Sequence, residues 1–592
     1  MRPHWSVRLK YCVCFFPLAA LGGCTGSTSD SGSGPGTPGG WTMGSGGSTS
    51  GAGPGFGSGG ATATGGSTPD PLPPEQEVDS SFEVPVATGR FVWVANPLSG
   101  RVAFIDALTL KVKTVEAGNA PTYLSAVPGQ ADAVVVLNVL SHDASVLRAT
   151  AATGQLSSVM VPGIAPLANA WAVAPDGKFA LAWTDARRAL ASAPNTRTLE
   201  GFQDITAIDL SAQPPTTTTV AVGYRPVSVT FSADGRRAFA VTQDGVSVLG
   251  LPGPTGGGMV QVLRDVPLTG DPTESADTRD VSITADGRAV VRREGSAQIR
   301  IVDLSTGVTG IVTLSGPVTD LDVTADGARA IAVVRQTSEV ALLPLATAGT
   351  NAATVLRTNV TGELIGSVTL TADSKQALLY SNATDSEHLV VLDLATAAYH
   401  VVRVHAPVLS VFPTPDGQYA VVLHHQAAVM GADGDGGTVS SADGGRGSAG
   451  SADGGTSAAT PGIGAAAPPP PIASAFSLIP LDGTRSGRIQ ETVAPPQAVA
   501  IAPNSSQAIV TVADGRAQVF GAYLAGLPSL QVTRLDLASP PIATGVVAAA
   551  NRGYVAQRHP EGRITFVPFT TGVPQTLTGF DLGARVVTGA NP

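Results

Sequence analysis

The feature that most constrains the fold is a unit that recurs along the chain from about residue 90 onward. Clear copies read PVSVTFSADGRRAFAVTQDGVSVLGL from Pro226, DVSITADGRAVVRREGSAQIRIVDLSTG from Asp280, DLDVTADGARAIAVVRQTSEVALLPL from Asp320 and LSVFPTPDGQYAVVLHH from Leu409. Each copy places an Asp-Gly pair, or a close variant, between two apolar runs. This pattern predicts a tight β-hairpin, because glycine accepts the positive φ of the turn. Counting the restarts gives about nine to ten units of a repeat architecture.

Each unit predicts four short antiparallel strands joined by polar turns. Such a sheet has two apolar faces, and packing against similar sheets on both sides buries both of them. The predicted fold class is therefore all-β, a β-propeller of four-stranded antiparallel blades with about 7–10 blade units. Helical periodicity with caps is missing, which argues against an α-solenoid or an α/β enzyme. We expect the segment FDLGARVV, residues 580–587, to close the ring by pairing with the three strands of residues 90–115.

The first copy also carries a family resemblance. Residues 91–129, FVWVANPLSGRVAFIDALTLKVKTVEAGNAPTYLSAVPG, resemble the YVTN repeat of bacterial and archaeal surface β-propellers. The resemblance extends over most of residues 90–591 in degraded form, and only this first copy matches closely. It implies a β-propeller fold, and we expect the domain to face the periplasm or the cell exterior.

The N-terminus has the features of an export signal. The basic stretch MRPHWSVRLK precedes the apolar run YCVCFFPLAAL and then Gly22-Gly23-Cys24, and this run is too short to span a bilayer permanently. The motif LGGC resembles the lipobox of bacterial lipoproteins. That resemblance implies cleavage after residue 23, a diacylglyceryl group on Cys24 and an acyl chain on its new amino terminus, so that the protein is anchored to the membrane. The alternative is an ordinary secretory signal with a chance cysteine. Thr25, rather than Asp, favours the outer membrane.

Two low-complexity segments flank and interrupt the repeats. Residues 24–80 are rich in Gly, Ser, Thr and Pro and predict a flexible tether, which leaves residues 81–592 for the propeller domain. Residues 431–474 predict a second disordered segment, a long loop inserted in one blade. Its Asp-Gly pairs at Asp433, Asp435, Asp443 and Asp453 are similar to calcium loops but lack the closing Glu, so we interpret them as solubilising residues.

Composition excludes several function classes. Cys12 and Cys14 leave with the predicted signal, so the remaining chain can form neither an internal disulfide nor a cysteine-ligated metal site. The chain has 35 Lys and Arg against 45 Asp and Glu, and loss of the signal removes three of the basic residues. A mature net charge near −13, with no basic run, argues against nucleic acid as a partner.

Candidate ligand contacts lie in the loops that enter the innermost strands, where propellers bind their ligands. The phasing of the repeat places seven polar residues there, namely Asn119, Tyr224, Arg225, Arg279, Asp280, Asp320 and His405. Of these we predict Arg225, Arg279 and His405 as ligand-binding residues, with solvated loop residues as the alternative. The recurring aspartates Asp176, Asp234, Asp286, Asp326 and Asp416 are predicted to be structural turn residues.

We predict no metal site and no cofactor other than the lipid on Cys24. His405, His424 and His425 form a group of histidines in the sequence, with Asp416 nearby. Adjacent residues of a strand point to opposite faces, so His424 and His425 should not share a metal.

No catalytic motif stands out, because GxSxG, HExxH and GxxxxGK[ST] are missing, and no dinucleotide-binding GxGxxG is placed between a strand and a helix. The sequence therefore favours a non-catalytic binding or scaffold module on a lipid tether, with a protein, a peptide or a cell-envelope glycan as partner. The rival prediction is a lactonase-like propeller hydrolase or lyase that acts on a small substrate at the central mouth. The sequence carries no signal for an oligomeric state.

Overall fold

The computed structural model describes residues 85–150, 153–186, 202–253, 259–271, 274–425, 474–580 and 586–588. The predicted signal peptide, the predicted lipid attachment site Cys24, the predicted tether, and the predicted inserted loop up to residue 473 lie outside these residues. Within the described ranges, no helix is long and apolar enough to cross a membrane.

The described strands form ten antiparallel sheets arranged as a ten-bladed β-propeller, which confirms the predicted fold class. In each sheet the strands follow one another in chain order, as expected for successive hairpins. The first strands of successive sheets lie next to each other and form the inner wall of the ring. Short 3₁₀ helices occupy Ala276–Thr278, Arg335–Thr337, Ala352–Thr354 and Ala548–Ala550.

The first five blades have the following strands. Blade 1 contains β1 (Val86–Ala87), β2 (Phe91–Asn96), β3 (Arg101–Asp106) and β4 (Val112–Glu116); blade 2 contains β5 (Pro121–Ala126), β6 (Ala133–Asn138), β7 (Asp143–Thr150) and β8 (Gln155–Val161); blade 3 contains β9 (Ala170–Val173), β10 (Phe179–Trp183), β11 (Asp204–Asp209) and β12 (Thr216–Ala221); blade 4 contains β13 (Ser228–Phe231), β14 (Arg237–Val241), β15 (Val246–Gly250) and β16 (Gln261–Val266); blade 5 contains β17 (Arg279–Ile283), β18 (Arg288–Arg293), β19 (Gln298–Asp303) and β20 (Thr309–Thr313).

The last five blades continue the series. Blade 6 contains β21 (Asp320–Val323), β22 (Arg329–Val334), β23 (Glu339–Pro344) and β24 (Leu356–Asn359); blade 7 contains β25 (Ser367–Leu370), β26 (Gln376–Tyr380), β27 (His388–Asp393) and β28 (Tyr399–Arg403); blade 8 contains β29 (Val408–Pro413), β30 (Tyr419–His424), β31 (Ala475–Pro480) and β32 (Arg488–Glu491); blade 9 contains β33 (Pro496–Ile501), β34 (Gln507–Asp514), β35 (Val519–Gly526) and β36 (Gln531–Asp536); blade 10 contains β37 (Pro541–Val547), β38 (Arg552–Gln557), β39 (Arg563–Pro568), β40 (Gln575–Thr578) and β41 (Val586–Thr588).

The hydrophobic core lies between neighbouring blades rather than within any one of them. Between blades 5 and 6, for example, Val290 and Ile299 pack against Ala332 and Leu343, and all four side chains are fully buried. Alternate residues of each inner strand contact opposite neighbours, so a blade buries both faces only inside the ring.

The turn between the first two strands of most blades has a shared hydrogen-bond pattern. In blade 6 the Thr324 hydroxyl donates to Asp326 at 2.6 Å and to the Arg329 carbonyl at 3.1 Å, and it accepts from the Arg329 amide at 3.0 Å. The hydrogen bond from Thr324 holds the pKa of Asp326 below its ordinary value. Blades 4, 5, 7 and 8 repeat the pattern, and Asp176 of blade 3 accepts the equivalent amide. The prediction that these aspartates are structural is confirmed.

The ring does not close as the sequence suggested. The predicted closing strand ends as β41, which pairs with β40 at the outer edge of blade 10, and blade 1 has its own inner strand, β1. Closure comes from face packing, with Tyr554 and Phe566 of blade 10 buried against Val92 and Ile105 of blade 1. The Tyr554 hydroxyl also donates to the Pro85 carbonyl at 2.7 Å.

The antiparallel order gives the ring two distinct ends. One end, here called the loop face, carries the connections between consecutive blades and the turns that join the second and third strands of each blade. The other end, the turn face, carries the two remaining turns of each blade, including the Asp-Gly turns. Both long internal ranges outside the described residues, 187–201 and 426–473, begin and end on the loop face.

Candidate functional site

The three predicted ligand-binding residues all lie on the loop face, but at different blade junctions. Arg225 precedes blade 4, Arg279 is the first residue of blade 5, and His405 precedes blade 8. The structure therefore places them at one end of the ring without bringing them together, and their contact with a ligand stays a prediction.

Arg225 is held by its neighbours in a left-handed backbone conformation, with φ of 51°. Its guanidinium lies 5.0 Å from the ring centroid of Tyr224 and 5.8 Å from that of Phe202. Its amide donates to the Phe202 carbonyl at 2.9 Å. Cation–π contacts of this kind orient the side chain while leaving it half-buried at the surface.

Arg279 is built into the blade, because its side chain is only 3% exposed. It donates to the Gln243 carbonyl at 2.6 Å and lies 3.8 Å from a carboxylate oxygen of Glu274. Glu274 also pairs with Arg293 at 3.1 Å and Arg300 at 3.3 Å. This network fixes the connection that enters blade 5, and Arg293, at 46% exposure, is its accessible member.

The histidines that the sequence placed near one another have separate environments. His405 is exposed on the loop face, whereas Asp416 lies in an Asp-Gly turn on the turn face.

His424 is 2% exposed, and its ring nitrogens contact the Pro407 carbonyl at 3.1 Å and the Ser477 hydroxyl at 2.7 Å. Burial lowers the pKa of His424 to about 4. His425 faces Asp385 instead, at 3.7 Å. Among the described residues, no group of three or more His, Cys, Asp and Glu side chains could hold a metal ion.

The candidate carboxylates of the central mouth are both buried, and each has a protein partner. Asp320 is fully buried and accepts the Val368 amide of the next blade at 2.7 Å. Asp280 is also buried and lies 3.5 Å from Arg292. Both residues therefore contribute to the inner wall of the ring.

Sequence reasoning missed a layer of polar side chains on the loop face that anchors the connections between blades. The Ser247 hydroxyl accepts the Gly223 amide at 2.9 Å, Glu339 accepts the Ser315 amide at 3.0 Å, and Thr206 accepts the Ala165 amide at 2.9 Å. The detectable signal is a polar residue within the first three positions of the third strand. That signal is visible only once the strands have been delimited.

One part of this layer lines a cleft of about 360 Å³ between blades 9 and 10. The lining consists of Asp536, Leu537, Ala538, Gln557, Glu561, Arg563, Thr565, Thr576 and Thr578. Gln557 donates to the Thr565 hydroxyl at 2.7 Å, the hydroxyls of Thr565 and Thr576 are 2.8 Å apart, and Arg563 donates to Thr578 at 3.2 Å. Neither partner of the Thr565 hydroxyl is a general base. The arrangement thus offers hydrogen bonds to a ligand rather than an activated nucleophile.

No family model matches this chain, and no curated protein matches it in sequence. Similar solved structures include the dihydro-heme d1 dehydrogenase NirN in complex with DHE, at 12% identity and a TM-score of 0.38 over 69% of this chain and 73% of that one. A eukaryotic initiation factor matches at 10% identity and a TM-score of 0.47 over 73% of this chain and 93% of that one. The Kuenenia stuttgartiensis hydrazine synthase matches at 18% identity and a TM-score of 0.29 over 58% of this chain and 99% of that one. Similarities at this level carry no argument about ligand or activity.

Proposed function

We propose that the protein is a lipid-anchored binding module of the bacterial cell envelope, and that its loop face binds a protein, a peptide or an envelope glycan without transforming it. The observation that carries this proposal is the polar cleft between blades 9 and 10. Its hydroxyl, amide and guanidinium groups lie side by side on the sheet of blade 10, and the carboxylates of Asp536 in blade 9 and of Glu561 in a turn of blade 10 complete the lining. Groups held in this way recognise a polar partner at a low cost in conformational entropy.

The anchor is the second part of the proposal. It is supported by the LGGC motif ending at Cys24 and by the Gly- and Ser-rich stretch that follows it. At about 5–6 Å times the square root of its length, a flexible tether of this size spans on the order of 40 Å, which is enough to hold the ring clear of the lipid surface. Thr25 supports sorting to the outer membrane, with the ring facing the periplasm or the cell exterior.

The hydrolase alternative has no comparable support in the described residues. A small-substrate propeller enzyme needs acid and base groups, or carboxylates for a cation, at the central mouth. The carboxylates predicted there, Asp280 and Asp320, lie against Arg292 and the Val368 amide. We therefore place binding ahead of catalysis.

Site-directed photocrosslinking in intact cells tests the proposal. A benzophenone amino acid replaces Glu561, an exposed residue at the mouth of the cleft, in the full-length protein. The matched control carries the same group at Thr306, an exposed residue of a strand-connecting turn on the opposite face. We expect a discrete crosslinked partner from position 561 and none from position 306.

The anchor is tested in the same cells with Cys24→Ala, which should move the protein to the soluble fraction and abolish incorporation of a labelled fatty acid. An identical set of crosslinks from both positions, or none from either, would count against the loop face as the binding surface. A Cys24→Ala protein that stays in the membrane would count against the lipid anchor alone.

A further inference from the structure

Large apolar side chains are exposed on the loop face of three adjacent blades, blades 1–3. Leu98 lies in the turn between β2 and β3 and is 100% exposed, and Leu140 lies in the corresponding turn of blade 2 and is 66% exposed. Leu167 lies in the connection from blade 2 to blade 3 and is 39% exposed. Exposed apolar side chains that lie close together mark contact sites for a lipid surface or for another protein.

Hydrogen bonds join the loops that carry the three leucines into one surface. The bonds run from the Ala117 amide to the Gly100 carbonyl at 3.0 Å, from the Leu140 amide to the Asn119 carbonyl at 3.2 Å, and from the Ile164 amide to the His142 carbonyl at 3.3 Å. The exposed Pro97, Pro162 and Pro166 lie in the same loops. These three prolines and the three leucines are called the apolar patch.

The loops of the apolar patch carry almost no charge. Residues 97–100, 117–120, 139–142 and 162–168 contain no Asp, Glu, Lys or Arg, although these types make up 14% of the chain, and His142 is their one titratable residue. Arg101 and Glu116, which border the first two of these loops, form an ion pair with each other at 2.7 Å. The patch therefore has little to attract an ionic partner, and its leucines favour an apolar one.

The backbone amides at the most exposed tip already have hydrogen-bond acceptors within the protein. Pro97 has no amide hydrogen, and the Leu98 and Ser99 amides donate to Oδ1 of Asn96 at 3.0 and 3.1 Å. The Gly100 amide donates to the Asn96 carbonyl at 3.1 Å. A tip of this kind can leave water without exposing unpaired amides to an apolar medium, which is the condition for entering a bilayer.

The direction of the first strand turns this face toward the predicted anchor. β1 pairs antiparallel with β2, and β2 ends at Asn96 on the loop face. At Val86 the chain therefore runs from the loop face toward the turn face. About 60 residues separate Cys24 from this point, and a flexible tether of that length spans on the order of 40 Å. It permits a ring clear of the lipid and a ring in contact with it, and it keeps the lipid at a high effective concentration.

We propose that the apolar patch docks onto the surface of the lipid bilayer that anchors the protein, with Leu98 and Leu140 inserted among the headgroups. The leucines contribute the apolar area, and the uncharged loops have no ion to desolvate. The biological setting rests on the lipid anchor of the proposed function, but docking itself can be measured without the lipid on Cys24. The cleft between blades 9 and 10 lies on other blades of the same face and is not part of the patch.

Vesicle flotation tests docking on the mature chain, residues 24–592 with Cys24→Ser. The predicted signal peptide is omitted, because an apolar signal binds lipid by itself. The probes are vesicles of phosphatidylcholine, alone and with added phosphatidylglycerol, at low and at high salt. We expect the protein to float with phosphatidylcholine vesicles to the same extent at both salt concentrations, because the loops of the patch are uncharged. Added phosphatidylglycerol should not be needed, since the chain carries a net negative charge.

Two substitutions locate the contact. Leu98→Ser and Leu140→Ser should each weaken vesicle binding about fivefold, and together about twentyfold. Leu108→Ser is the matched control and should leave binding unchanged, because Leu108 is a 45% exposed leucine of the same blade on the turn face. The substituted leucines are exposed, so the core stays intact, and circular dichroism verifies the fold of each variant.

Failure of the wild type to float would overturn the proposal, as would equal flotation of the wild type and the double variant. Flotation that is lost at high salt, or that requires phosphatidylglycerol, would also overturn it, because charged groups would then make the contact. A benzophenone at position 98 that crosslinks a protein in cells, with no flotation in vitro, would assign the patch to a protein partner instead. Flotation depends neither on acylation of Cys24 nor on crosslinking from position 561, so failure here and failure of the proposed function are distinguishable.

Discussion

At the scale of single residues, the glycines that precede blades 2 and 4 are required by close packing. Gly223 enters blade 4 on the loop face, and a Cβ built there would lie 2.4 Å from the Thr242 hydroxyl oxygen. Gly118 stands in the same place before blade 2, where a Cβ would lie 2.4 Å from Asp143 and 2.5 Å from Asn138. Such distances force the neighbouring side chains to move, so the polar layer beneath the connection selects glycine.

Gly223→Ala should therefore destabilise the protein by about 1–3 kcal/mol. Chemical denaturation followed by circular dichroism measures the change in the free energy of unfolding. Gly515→Ala is the control, because a Cβ at that position would meet nothing within 4 Å. If alanine at both positions costs the same, the argument from close packing is wrong.

His424 makes the stability of the protein depend on pH. Its pKa of about 4 in the folded chain lies below the ordinary value of 6.5, so between these pH values the unfolded chain binds more protons. Stability due to His424 is complete above about pH 6.5 and falls as the pH drops toward 4. At about 1.4 kcal/mol per pKa unit, the total loss is on the order of 3 kcal/mol.

His424→Gln should reduce this pH dependence. Blade 10 has Gln557 in the equivalent position, where it donates to Thr565 as His424 contacts Ser477. Unfolding free energies of the wild type and the variant, compared at pH 7 and pH 4.5, measure the difference. The proposed role of His424 fails if both proteins lose the same stability between these pH values.

Residue-level prediction from the sequence succeeded where one turn geometry determines the residue. Four of the five aspartates of the Asp-Gly turns accept a backbone amide two residues ahead, as Asp326 does from Ala328 at 2.9 Å. Prediction from the sequence was less informative on the loop face, where the burial of a residue decides its role. The sequence does not distinguish the burial of Arg279 from that of Arg225. In the structure the side chain of Arg279 is buried against Glu274, whereas Arg225 is only half-buried.

At the scale of the strand and its turn, a Ser or Thr two residues before the turn aspartate links the ends of the first hairpin in five blades. In blade 8 the fully buried Thr414 donates to Asp416 at 2.6 Å and to the Tyr419 carbonyl at 3.0 Å, and it accepts the Tyr419 amide at 3.0 Å. This one hydroxyl is therefore the hydrogen-bond partner of the Asp416 carboxylate, the Tyr419 carbonyl and the Tyr419 amide, which water would otherwise have to satisfy. This explains why Ser or Thr stands two residues before Asp in five blades.

Thr414→Val keeps the shape of the side chain and removes all three hydrogen bonds. We expect a loss of about 1–3 kcal/mol in the free energy of unfolding, because the Tyr419 amide is left buried without a partner. Thr533→Val, at an exposed position of the outer strand β36, should change stability by less than about 0.5 kcal/mol. Equal effects of the two substitutions would refute the role of the hydroxyl.

The strands, like the turn residues, could be predicted from the sequence where a recurring local signal determines the structure. The hairpins were predictable because a turn signal, an apolar run and a polar turn recur in a fixed order. The polar cleft between blades 9 and 10 was not predictable, since Thr565 and Thr576 resemble ordinary strand residues. Their common orientation follows from the strand register, which pairs these two residues directly across β39 and β40.

At the scale of the whole molecule, the number of blades was predictable within a narrow range, but the mode of closure was not. The inner strand of blade 1, β1, is only two residues long and is not followed by the Asp-Gly turn that blades 3, 4, 5, 6 and 8 have. The pattern of apolar residues in the C-terminal segment does not indicate which free sheet edge the segment pairs with. Packing decides between these edges, because Tyr554, Ile564 and Phe566 of blade 10 fit the face of blade 1 directly.

Closure by face packing leads to a clear prediction for truncation. Deleting residues 581–592 removes β41, which pairs only with β40 at the outer edge of blade 10. The interface between blades 10 and 1 should persist, so the truncated chain should keep the hydrodynamic radius and cooperative unfolding of the full chain. Size-exclusion chromatography with light scattering and denaturant unfolding measure both properties.

Tyr554 should matter more than the whole C-terminal segment. Tyr554→Phe removes only the hydrogen bond to Pro85 and should cost about 1 kcal/mol, whereas Tyr554→Ala also empties a buried site and should cost about 3–5 kcal/mol. If the C-terminal strand completed blade 1 instead, its deletion would open the ring, enlarge the particle and exceed the effect of Tyr554→Ala. The relative stabilities of the C-terminal deletion, Tyr554→Phe and Tyr554→Ala therefore show how the ring closes. They discriminate between closure by face packing and closure by pairing of the C-terminal strand with blade 1.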